Sequence, residues 1–145
     1  MKTSQLFIIV AAILSTSVID IAYREWEKEP ARKAARAAQA EKKFQDGWSS
    51  AKSGLRYFHD ACKDYFHDAD GKKGDVAGFQ STASLWLSDV AGFVDAYPKS
   101  PMVETTLLSD FVPQVQPALT SPNDESIRAA WVLAEKVCKQ FSILQ

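Results

Sequence analysis

The densest run of groups able to do chemistry is His59-Asp60-Ala61-Cys62-Lys63-Asp64-Tyr65-Phe66-His67-Asp68, which holds both histidines and one of the two cysteines. Zinc takes imidazole, thiolate and carboxylate ligands, and on a helix these must stand three or four residues apart. His59 and Cys62 meet that spacing. Cys62, however, falls on an apolar seam, Asp60 and Asp64 point elsewhere, and no second ligand cluster follows downstream. Solvated helix polars are the simpler reading, and no metal ligand is assigned. A histidine beside an aspartate suggests a base with an orienting carboxylate. Neighbours on a helix point about 100° apart, so His59-Asp60 and His67-Asp68 are not expected to form aligned pairs. Asp68-Ala69-Asp70-Gly71 resembles part of a calcium loop. With Gly71 in the sixth position the twelfth is Ala77, where the loop needs Glu. There is no CxxC, no serine in a nucleophile elbow and no glycine-rich loop after a strand. The chain therefore reads as non-catalytic, with no cofactor and no small-molecule substrate.

These groups sit on elements whose periodicity is plain. Phe44, Trp48, Ala51, Leu55, Phe58, Cys62 and Tyr65 alternate steps of four and three, a stripe along one helix face that must pack on something. The glycines and aspartates of residues 67–74 break it as a turn. A second helix is predicted from Asp75, with Phe79, Ala83, Trp86, Val90, Phe93 and Tyr97 inward, ending at Tyr97-Pro98 because a residue before proline avoids the helical region. Ser100-Pro101 offers a cap and first-turn proline for a third helix that buries Met102, Leu107, Leu108, Phe111 and Val112. Pro113 and Pro117 limit it to about three turns. Ser121 to Asp124 resembles a capping box for a last helix carrying Ile127, Trp131, Ala134, Cys138 and Phe141 inward. No stretch alternates as a strand does. The fold class is all-α, with a helical bundle of three to four helices over residues 47–145.

Cys62 and Cys138 both fall on inward stripes of separate helices. In an oxidising compartment they are a disulfide candidate, closing a loop of about 76 residues and adding roughly 4 kcal/mol by chain-entropy arithmetic. Two buried free thiols are the alternative. The chain has four Trp, four Tyr and eight Phe. Trp48, Trp86 and Trp131 are expected in one aromatic core. Apolar residues off the stripes are partner-contact candidates: Leu85 and Leu87 on either side of Trp86, and Val112, Val115 and Leu119 in the proline-broken segment.

Before the bundle come two further segments. Residues 1–23 contain one apolar run, Leu6–Ala22, at the short end of the roughly 17 to 25 residues a transmembrane helix needs. Asp20 lies close enough to its end to reach the interface, and Tyr23 and Trp26 are aromatics of the kind that favour headgroups. The run is read as a single N-terminal transmembrane helix, a signal-anchor in contact with membrane lipid. The alternative is a cleaved signal with an apolar core Leu6–Leu14 and small residues Ser15-Thr16-Ser17. Residues 24–46 form a charged, Ala-rich connector with seven basic and five acidic residues. Its helix propensity is high, and Glu29-Pro30 predicts a kink or joint.

Direction is a contest of two features. Seven Lys/Arg between Arg24 and Lys43 favour a cytoplasmic C-terminal side. The short lysine-bearing head and the acidic nearest flank, Glu25, Glu27 and Glu29, favour export, and an extracytoplasmic bundle is the expectation. Residues 47–145 carry nine basic and twelve acidic residues, which excludes a nucleic-acid surface. Together these readings describe an accessory or scaffold subunit of a larger membrane-associated complex. The alternative is a secreted or periplasmic helical binding or inhibitor protein released by signal cleavage.

Overall fold

The structure is a computed structural model that describes residues 3–67, 71–104 and 106–144, with side chains from Tyr23 onward. It contains five helices, α1 (Thr3–Phe66), α2 (Val76–Ala96), α3 (Pro101–Glu104), α4 (Leu108–Thr120) and α5 (Asp124–Gln140), and no strand among the described residues. The chain divides into two compact units, residues 1–44 and 45–145, and α1 supplies residues to both.

In the first unit every residue from Tyr23 to Lys43 is exposed. The kink or joint expected at Glu29-Pro30 does not end the helix, because Pro30 lies inside α1. Proline's fixed φ is compatible with a helix, and its cost is the lost N–H bond and a clash with the preceding turn. The Ala-rich sequence that follows propagates the helix strongly. Ion pairs Arg32–Glu25 (2.7 Å) and Lys33–Glu29 (2.8 Å) span the proline, though such exposed pairs add little. Among the described residues no helix is long and apolar enough to cross a membrane. The anchor expected at Leu6–Ala22, with Asp20, lies outside the residues whose side chains are described.

In the second unit the C-terminal part of α1 packs with α2, α4 and α5. Tyr65 meets Phe79 on α2 (ring centroids 5.7 Å) and Asp124 on α5, where its hydroxyl donates at 2.9 Å. Trp48, almost five turns earlier, meets Phe93 on α2 and Phe141, the C-cap of α5, at 5.4 and 4.8 Å. Both α2 and α5 are therefore antiparallel to α1. The amide of Leu107, just before α4, meets the Gln140 side chain at the end of α5, so α4 runs opposite to α5. The four helices make an up-down-up-down bundle. Phe58 of α1 and Phe111 of α4, both fully buried, meet edge to face at 5.5 Å in its centre. α2 and α5 flank this α1–α4 pair from opposite sides.

The α1 stripe is buried from Trp48 to Tyr65 as its spacing predicts. α2 begins after Asp75, whose carboxylate accepts from the amides of Ala77 and Gly78, and its C-cap is Tyr97. The third helix differs from expectation. It is split into α3 and α4, with Thr106 accepting from the Leu108 amide at the join. Leu108, Phe111, Val115 and Ala118 fill the core, while Leu107 is exposed and Met102 half-buried. The last helix starts two residues later than the expected box allows. Asn123 is its N-cap, accepting from Ser126 N, while Ser126 Oγ accepts from Asn123 N. Trp131 is half-buried at the rim, and Ala130 and Val137 take the core positions instead.

Candidate functional site

His59 is held by hydrogen bonds at both ring nitrogens. Trp131 Nε1 donates to His59 Nε2 at 3.0 Å, so the ring proton sits on Nδ1 and faces Asp60 Oδ1 at 3.1 Å. This corrects the expectation that His59-Asp60 is not an aligned pair, since side-chain rotation closes the angle that helix geometry opens. The arrangement leaves no ring lone pair for a metal or a substrate proton. His67 is exposed, and Asp68 and Asp70 lie outside the described residues. Among the described residues no three His, Cys, Asp or Glu are grouped to hold a metal ion.

The two thiols are buried and free, which corrects the disulfide expected between Cys62 and Cys138. The helix register supplies the reason. On α5 the contacts of Trp48, His59 and Tyr65 fall at Phe141, Trp131 and Asp124. Cys62 is thus level with the first turns of α5, and Cys138 with the Trp48–Ala51 turn of α1. About ten residues of helix, roughly 15 Å, separate the two levels. A disulfide needs Cα atoms within about 7 Å. Burial pushes each thiol from 9.0 up to about 12.

The partner-contact candidates are redistributed. Leu87 (4% exposed) and Val115 are core residues, a correction to their expected exposure. Leu87 belongs to the stripe that Trp86 was expected to fill, one residue of rotation away. Val112 and Leu119 are half-buried, and Gln80 Nε2 donates to the Leu119 carbonyl at 2.7 Å. Leu85 alone is openly exposed, at 62%. Beside it Trp86 stacks on Tyr57 of α1, with ring centroids 4.4 Å apart. A Cβ on Gly54 would meet the Trp86 carbonyl at 2.7 Å, so glycine permits the close approach of α1 and α2 here. On α5, Val132 is 48% exposed, a position sequence reasoning passed over. Its signal was its flanking by Arg128 and Lys136, one turn away on either side.

One end of the bundle is closed by polar contacts. Lys73 Nζ lies 2.5 Å from Asp124 Oδ1, the same carboxylate that accepts from Tyr65. Lys73 and then Tyr65 hold the Asp124 carboxyl below its usual range, and Asp124 raises Lys73. In the first unit Tyr23 (58% exposed) and Trp26 (69%) pair at 6.1 Å, with both rings open to their surroundings.

Compared with known proteins, the chain matches no family model, no curated protein and no solved structure.

Proposed function

We propose that this chain is a non-catalytic single-pass membrane protein whose helical bundle serves as an accessory or scaffold subunit of a membrane-associated complex. The observation that carries the reading is the exposed Tyr23–Trp26 pair directly after the apolar run Leu6–Ala22. Aromatic rings with a polar edge gain at the headgroup level, whereas two large rings left in water gain nothing. Support for a binding role comes from the bundle itself, whose buried groups are used in packing and whose less exposed histidine, His59, is spent on internal hydrogen bonds.

The bundle is placed on the extracytoplasmic side by the short lysine-bearing head and the acidic flank Glu25, Glu27 and Glu29, against the seven Lys/Arg between Arg24 and Lys43, which favour the cytoplasmic side.

Alkaline extraction of membranes followed by intact mass is the test. The expected result is a full-length chain that stays in the membrane pellet. A soluble chain lacking about the first 17 residues overturns the anchor and favours a secreted or periplasmic binding protein. Protease protection of the bundle in sealed vesicles reads the side.

A further inference from the structure

The hydrogen bond from Trp131 on α5 to His59 on α1 depends on a lone pair that histidine keeps only while neutral. An indole N–H donates and never accepts. Lying 3.0 Å from Nε2, it requires that nitrogen to be bare, with the ring proton on Nδ1 facing Asp60. A second proton can go only to Nε2. Once it is there, two N–H donors face each other across the same 3.0 Å, and attraction turns to repulsion.

The charged groups around the ring provide for both states. On α1, Asp60 lies beside it, and the exposed Arg56 and Lys63 stand one turn to either side. On α5, Glu135 follows Trp131 by one turn, Lys139 bonds Glu135 at 2.6 Å, and Arg128 lies over Phe66. The chain after α5 brings Ile143 and Leu144 beside Asp60, both uncharged. Asp60 keeps the Nδ1 proton whether or not Nε2 carries one. Glu135 is held below the usual carboxylate range by Lys139 first and by His59 to a lesser degree, so it stands near enough to attract a charged ring. Neutral His59 thus has the indole, and charged His59 has a carboxylate on each helix.

We propose that His59 is an acid-operated latch on the α1–α5 contact: protonated at Nε2, it releases the Trp131 indole, which swings off Phe66 and opens that side of the phenyl ring at the bundle rim. Trp131 is half-buried there and stacks on Phe66 at 5.8 Å with planes 19° apart. Without its acceptor, the polar edge of the indole gains by turning to water. Ile127, Ala134, Val137 and Cys138 hold α5 in the core and take no part, so the helix stays docked. Histidine changes charge between about pH 5 and 8, which sets the interval in which the latch can act. The device depends neither on the anchor nor on the side of the membrane.

The test follows the four indole N–H resonances and both histidine rings of the full-length chain, in mild detergent, from about pH 8 to about pH 5. Trp131→Phe identifies the Trp131 signal. That signal is expected to move with the midpoint of the His59 ring and to lose its cross-peaks to Phe66, while the other three indoles stay. His67 is exposed, and His67→Gln should leave the response intact. His59→Gln offers the indole an acceptor that takes no proton, so the response should vanish. Cross-peaks to Phe66 that persist once His59 is charged overturn the proposal. So does a response that survives in His59→Gln, or a His59 ring still neutral at about pH 5. All four indoles changing together would be unfolding and overturns it too. If His59→Gln does not fold, the titrations of wild type and His67→Gln decide alone.

Discussion

Trp131 donates its indole N–H to Nε2 of His59 across the α1–α5 contact at 3.0 Å, and the histidine passes its own proton towards Asp60 at 3.1 Å. The bond fixes the tautomer of a ring that is only 11% exposed. It also ties two residues 72 positions apart in the chain.

Trp131→Phe tests that bond. Phenylalanine keeps an apolar ring beside Phe66, on which Trp131 stacks at 5.8 Å, but removes the donor. A mostly buried acceptor is then left unpaired, which costs about 1–3 kcal/mol. Urea denaturation should show that loss with an unchanged slope. No loss would mean that the hydrogen bond contributes nothing net.

Asp124 makes the bundle sensitive to acid. Its carboxyl is held below the usual range by Lys73 and Tyr65, so the folded state binds its proton less readily than the unfolded one. The resulting stability is present above the ordinary carboxylate range and is lost as pH falls through the lowered value. Lys73 is shifted upward, so its share is present below the ordinary lysine range and is lost as pH rises through the raised value. Asp124→Asn should remove both dependences. Thermal melts across the pH range would show it, and parallel curves for wild type and variant would refute the linkage.

The thiols of Cys62 and Cys138 should resist alkylation in the native chain and react on unfolding. Burial raises both from 9.0 to about 12, so thiolate is scarce until strongly alkaline pH. Stability linked to the neutral thiols is complete below about 9 and lost between about 9 and 12. Mass spectrometry after labelling without reductant should count two modifications in denaturant and none without it. An unlabelled denatured chain would reveal a bond after all.

Two glycines predict opposite outcomes for one substitution. Gly54→Ala places a methyl 2.7 Å from the Trp86 carbonyl, so α1 and α2 must separate. Overpacking of this kind costs about 1–3 kcal/mol. Gly92→Ala meets open space within α2 and should gain up to about 1 kcal/mol from helix propensity. Thermal unfolding of the pair provides the comparison, and a destabilised Gly92→Ala would show an unseen demand for glycine there.

Residue order alone determined the helical class and much of the burial. The stripe Trp48–Tyr65 is readable because a helix repeats every 3.6 residues and an inward face must be apolar. The α2 limits are readable because Asp75 can cap and Pro98 cannot follow a helical residue. Rotation within a helix was legible only to about one residue, which is why Trp86 and Leu87 exchange places.

What one helix does to another was decided by the tertiary structure. Two inward cysteines share a core yet lie too far apart to bond, because periodicity fixes the face of a residue but not its height against a neighbour. His59 finds Trp131, and Lys73 finds Asp124, through antiparallel registers set by aromatic packing along the whole length of each helix.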